Sequence, residues 1–286
     1  MRDDEKNKGQ KLKKNPAKKK RSKGAQAFFT IAIIICLGVM AFSGYKLITT
    51  ALEYKKSQDE YKELQNKYAV IVETPTPTPE PTPQADSVEA VDVQSVEPET
   101  VPVKVDWENL KLVNEDIVAW IYIGALKISY PVVHYTDNDF YLRRTVEKTW
   151  NMSGSIFVEA QNNADFNDPN TIIYGHNMLD GSMFSKLPHL ADEDNYKKDP
   201  YIWIFTPTGN YKYKMFSLHR TAISSEVYTL FTGTDETFTD WCNLMQDESQ
   251  AKLDQMAFTA DSRVITLSTC TDDSAARYVV QAVRVL

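Results

Sequence analysis

Three side chains in this sequence have the chemical types and settings that acyl transfer requires. The run Arg263-Val264-Ile265-Thr266-Leu267-Ser268-Thr269-Cys270 is apolar and β-branched, and it stops at a thiol. A polar loop, Thr271 to Ala276, leads to Arg277-Tyr278-Val279-Val280, a second β-branched run that opens with a guanidinium. Two consecutive runs of this kind read as strands. If they pair as neighbours, about 4.8 Å apart, thiol and guanidinium face one small volume. A cysteine ending a buried strand also reads as a small core side chain, and by itself Cys270 is balanced between the two readings. The polar collar of Ser268, Thr269, Thr271, Asp272 and Asp273, with a cation close by, favours the reactive thiolate. A third strand end then supplies the missing partner. Thr171-Ile172-Ile173-Tyr174-Gly175-His176 carries an imidazole to the end of another β-branched run, and a cysteine nucleophile needs such an acid–base group. Arg277 would hydrogen-bond a developing oxyanion or the carbonyls of a bound peptide.

The other reactive residues carry less. Cys36 falls in a long apolar stretch, and a bridge between Cys242 and Cys270 stays open, but two cysteines make no disulfide framework. Four histidines, at 134, 176, 189 and 219, show no metal-ligand spacing, and no metal site or cofactor is expected. His134 and His219 lie within strand patterns, and His189 follows a proline in a surface turn.

The elements that must position the three groups are short. β-Rich runs at 118–123, 128–134, 154–159, 171–174, 201–206, 211–222, 263–269 and 278–286 are separated by Gly, Asn, Asp and Pro. Helical character is confined to 107–117 and to turns near 138–143, 182–187, 192–197 and 237–246. Eight strands with few helices predict a mostly β fold, a barrel or a sandwich. Residues 106–286 form this head, 181 residues, enough for one buried core.

Upstream the composition changes sharply. Residues 1–23 carry +8, against −7 for the whole chain, which leaves −15 for the rest. A basic tail can bind nucleic acid, but residues 24–45 are uncharged and match the length of a membrane-crossing helix. The lysines before it hold that end in the cytoplasm by the positive-inside bias, with the acidic bulk outside. An uncleaved anchor is the reading taken, since the basic region is longer than a signal peptide's. Residues 46–72 read as a helical stalk. Leu47, Tyr54, Tyr61 and Tyr68 recur every seven residues, a hint of a coiled-coil dimer, though a solvated stalk is the expectation. Residues 73–105, with alternating Thr-Pro, read as an extended spacer between membrane and head.

Thr266-Leu267-Ser268-Thr269-Cys270 with Arg277 resembles the TLxTC…R signature of sortases. Ile173-Tyr174-Gly175-His176-Asn177-Met178 is similar to the histidine motif of class B members, and the likeness runs over the whole head. The resemblance implies an eight-stranded β-barrel transpeptidase of Gram-positive cell envelopes, without metal or cofactor. By it Cys270 attacks the threonine carbonyl of a C-terminal sorting motif to give a thioester. His176 serves as acid and base, and Arg277 steadies the oxyanion. Asn138, Leu142, Tyr174, Ser268 and Thr269 match positions that line the substrate groove. The implied partners are surface proteins bearing the sorting signal and an amine of peptidoglycan or its lipid-linked precursor. Joining pilin subunits is the alternative within the family. A surface-displayed binding head with an incidental cysteine is the alternative outside it.

Overall fold

The computed structural model describes residues 23–72, 101–271 and 273–286. The basic segment before Lys23 and most of the Thr-Pro linker therefore lie outside the described residues. In chain order the elements are α1 (Lys23–Tyr68), β1 (Ala69–Ile71), β2 (Val103–Val105), α2 (Trp107–Val113), β3 (Ile117–Ile123), β4 (Ile128–Val133), β5 (Ile156–Val158) and β6 (Asn170–Tyr174). They continue with α3 (Glu193–Lys198), β7 (Tyr201–Phe205), β8 (Asn210–Ala222), α4 (Glu236–Asp247), β9 (Val264–Cys270) and β10 (Ala276–Arg284). Each of the eight β-rich runs of the head is one strand of a single closed barrel, in the order β10-β8-β7-β3-β4-β5-β6-β9.

Two neighbour pairs in the barrel are parallel, β4 with β5 and β6 with β9; the rest are antiparallel. This explains why β6 and β9 read as continuous apolar runs rather than alternating ones: both of their faces are covered. Ile173, Ile265, Leu267, Val280 and Ala282 point into the barrel and join Ile121, Val132 and Ile204 in its core. Val264, Val279 and Val283 point outward and are covered by Phe238, Trp241, Cys242 and Met245 of α4. Asp235 starts that helix by accepting hydrogen bonds from the backbone N–H groups of Thr237 and Phe238.

The chain divides into two compact units, residues 1–51 and 52–286. In the first, α1 is apolar all round, and Phe28, Ile33, Ile34, Leu37 and Phe42 are all more than half exposed. It holds the single stretch among the described residues that is long and apolar enough to cross a membrane. In the second unit the predicted stalk is not solvated. Ser57, Tyr61, Leu64 and Tyr68, spaced as one helical face, are buried against the barrel, with Tyr61, Leu64 and Tyr68 in its core cluster. The heptad of tyrosines thus marks an intramolecular contact. Each large apolar side chain buried in this way is worth about 2 kcal/mol, which a solvated stalk would forgo.

The Thr-Pro spacer itself lies outside the described residues, but its flanks are defined. β1 pairs antiparallel with β2, Ile71 opposite Val103, and Val72 N–H donates to the Pro102 carbonyl at 2.9 Å. The two ends of the Thr-Pro segment therefore meet in one small sheet. The compact unit that holds the barrel begins at Leu52.

Candidate active site

Strand register brings the three groups together. In the parallel β6–β9 pair Tyr174 lies opposite Ser268, so two residues further along each chain His176 and Cys270 reach the same level. In the antiparallel β9–β10 pair Arg277 is the direct partner of Cys270. Side chains two apart share a face. Ser268 and Cys270, like Arg277 and Val279, therefore belong to the outer face of the barrel, beside α4. The site is a groove of about 160 Å³ on this face, lined by Leu142, Phe157, Tyr174, Gly175, His176, Ser268, Thr269, Cys270 and Arg277.

Cys270 is half-buried and unpaired. Its carbonyl accepts a hydrogen bond from Asn177 Nδ2 at 2.9 Å, and Gly175 N–H donates to the Ser268 carbonyl at 3.1 Å. The histidine strand end is thus tied to the cysteine strand beyond the regular ladder. Gly175 is required there, because a Cβ would sit 2.6 Å from the Phe184 ring. Cys242, by contrast, is fully buried on the inner face of α4, and desolvation pushes its thiol up to about 12, far from reactivity. The bridge between the two cysteines does not form.

His176 Nε2 lies 2.7 Å from the Leu142 carbonyl oxygen. Burial lowers its pKa below the ordinary imidazole value; the Leu142 hydrogen bond opposes this, and the Arg143 charge adds to it. Two results follow. An NMR titration should place His176 below about 6.5, and Arg143→Ala should move it upward. Because the unfolded chain takes up the proton first, the associated stability is present above about pH 6.5 and is lost as pH falls below it.

The Arg277 Nη1 donates to the carbonyls of Ser274 at 3.0 Å and Ala276 at 2.8 Å, so the loop after Cys270 orients the guanidinium. Thr271 Oγ1 closes the same loop on the Asp273 and Ala276 carbonyls, while Asp272 lies outside the described residues. Desolvation raises the pKa of both Tyr174 and Tyr228, and in each the Arg277 charge acts against that rise. Arg277→Lys keeps the charge but not the planar fork. A loss of about 100-fold in kcat/KM is expected, the scale of one oxyanion donor. Wild-type activity in this variant would reduce Arg277 to a point charge.

Of the predicted groove residues, Leu142, Tyr174, Ser268 and Thr269 line it. Asn138 does not. Its Nδ2 donates to both carboxylate oxygens of Glu159 at 2.8 Å, and its Oδ1 accepts from Ala160 N–H. Glu159, buried at 6 % exposure, also accepts from the Tyr174 hydroxyl at 2.9 Å, so Asn138 reaches the groove only through this relay. Sequence reasoning missed Glu159, whose single signal is an acid closing a strand run. It also missed Tyr228, whose hydroxyl is 2.9 Å from Ser268 Oγ and whose ring stacks on Tyr174 at 6.4 Å. Tyr228 is held by partners remote in sequence. Asn170 Nδ2 donates to the carbonyls on either side of it, and Trp241 Nε1 donates to the Glu226 carbonyl. His219 is packed in β8 with Nδ1 3.1 Å from Ser217 Oγ. Among the described residues no cluster of His, Cys, Asp and Glu has metal-binding geometry.

Fold and site together define a cysteine acyl-transfer enzyme on a closed β-barrel. The family model described as the sortase domain matches residues 121–285. Sortase B of Listeria monocytogenes is 31% identical over 242 residues, 83% of this chain and 87% of that one. Sortase B of Staphylococcus aureus is 27% identical, covering 86% and 90%. The crystal structure of sortase B from Bacillus anthracis in complex with AAEK1 superposes with a TM-score of 0.63 at 29% identity, over 82% of this chain and 98% of that one. The chain belongs to the sortase family, in its class B branch, and is a cysteine transpeptidase.

Proposed function

We propose that this transpeptidase cuts surface proteins after the threonine of a C-terminal sorting motif and joins them to an amine of the cell wall. The observation that carries this reading is the register that sets His176, Cys270 and Arg277 on three adjacent strand ends. Cys270 gives its thiol proton to His176 as Sγ attacks the threonine carbonyl carbon. Arg277 hydrogen-bonds the oxyanion, and collapse of the tetrahedral adduct breaks the C–N bond as His176 protonates the departing amine. An incoming amine then adds to the thioester, His176 removes its proton, and the thiol leaves. Leu142, Tyr174, Ser268 and Thr269 line the groove for the motif, with Asn138 supporting Tyr174 through Glu159. The apolar part of α1 anchors the enzyme as a single span, with the basic N-terminus cytoplasmic and the catalytic unit outside.

A peptide-library cleavage assay on the full chain in detergent, with and without peptidoglycan-type amines, tests the reading. Cleavage after threonine, with product partitioning to the added amine, is the expected result. Cleavage that persists after Cys270 has been blocked by a methanethiosulfonate reagent would sink it.

A further inference from the structure

Two routes of direct contact lead from the docked half of α1 to His176. The first begins at Tyr61, which is 5 % exposed and packs edge-on against Tyr130. Its hydroxyl donates to the Gly154 carbonyl at 2.7 Å and lies 3.2 Å from Ser155 Oγ. Gly154 has a φ of +56° and presses so closely on the preceding turn that a Cβ there would stand 2.5 Å from the Leu142 carbonyl oxygen. That oxygen is the one held 2.7 Å from His176 Nε2. Ser155 N–H, donating to the Tyr141 carbonyl at 3.0 Å, ties the same two segments together.

The second route begins one helical turn earlier. Gln58 Nε2 donates to Asp180 Oδ2 at 2.8 Å, while Asp180 Oδ1 accepts from the Ser182 N–H and hydroxyl. Asp180 sits in the loop that follows His176 and returns through the Phe184 N–H to the His176 carbonyl. Between α1 and this loop lies a cleft of about 220 Å³, bordered by Gln58, Tyr61, Tyr130, Asp180 and Ser182. Across that cleft the loop is reached by a polar strut.

Such support has a physical reason. β6 ends at Tyr174, so His176 stands beyond the barrel ladder and depends on what meets its ring and its loop. A displacement of about 1 Å in a reacting group can cost on the order of 100-fold in rate.

We propose that Tyr61 and Gln58 are positioning residues for His176, Tyr61 by setting the Leu142 carbonyl through Gly154, and Gln58 by bracing the loop through Asp180. The helix that carries the apolar N-terminal stretch is then part of the catalytic apparatus as well as its attachment. The inference rests on the acid–base role given to His176 in the proposed acyl transfer.

The test compares Tyr61→Phe, Gln58→Leu and the double variant of the full chain in detergent, using the peptide selected by the library assay. The double variant should lose about tenfold in kcat with KM changed less than about twofold, and the His176 ring resonances should shift. Gln58→Lys, which sets a cation against Asp180, should recover kcat relative to Gln58→Leu. Unchanged kcat in the double variant overturns the proposal, as does lost kcat with unmoved His176 resonances, or a lysine no better than leucine. If Tyr61→Phe does not fold, the contrast between Gln58→Leu and Gln58→Lys decides. His176→Ala separates the two levels. An active His176→Ala overturns the acid–base assignment itself, whereas an inactive one beside a fully active double variant overturns the positioning role alone.

Discussion

Cys270→Ala should abolish both cleavage of a sorting-motif peptide and transfer to an amine, with no covalent acyl adduct by mass spectrometry. Loss of a nucleophile that acts in concert with its partners typically costs on the order of 10⁶-fold in kcat. The barrel should melt as before, because Cys270 is half-buried at a strand end and makes no disulfide. Cys242→Ala provides the opposite control. Its side chain is fully buried among Phe216, Trp241 and Val279, so it should lower stability by about 1 kcal/mol and leave turnover intact. Residual cleavage in Cys270→Ala at more than trace levels would mean that another group is the nucleophile.

His176→Ala should reduce cleavage by about 1000-fold, within the range of general acid–base assistance. The leaving amine is a poor leaving group unless protonated, and among the groove-lining side chains only an imidazole exchanges protons readily near neutral pH. KM should change little, because the imidazole's hydrogen-bond partner is the Leu142 carbonyl of its own chain. Steady-state kinetics on the purified variant give both numbers. A loss of less than tenfold would assign the proton transfers elsewhere. The variant also empties the hydrogen bond at Leu142, so a small drop in melting temperature is consistent with the same role.

The strands were legible because each is a dense β-branched run bounded by turn residues, and burial on both faces made β6 and β9 still easier to see. The three candidate residues stand out in the sequence for the same reason: a polar, reactive side chain at the end of an apolar strand breaks the pattern. Local periodicity misled at α1. Tyr54, Tyr61 and Tyr68 recur as a heptad, but a stripe of that spacing records only that one helix face is covered, not what covers it. The Thr-Pro segment lies outside the described residues. The sheet formed by β1 and β2, which joins its two ends, depends on three residues at each end. The surroundings of Asn138 and Tyr228 were not legible, because they depend on partners far along the chain, Glu159 for one and Ser268 for the other.

Read alone, the sequence carries the strands, the candidate groups that end three of them, and the apolar helix upstream, because each is a local pattern of side-chain chemistry and period. Only the tertiary structure decided that the parallel register of β6 with β9 and the antiparallel register of β9 with β10 align His176, Cys270 and Arg277. It alone turned the tyrosine face of α1 onto the barrel beside the histidine loop. Register and docking are set by which surfaces fit together across the chain, and neighbouring residues carry no record of that.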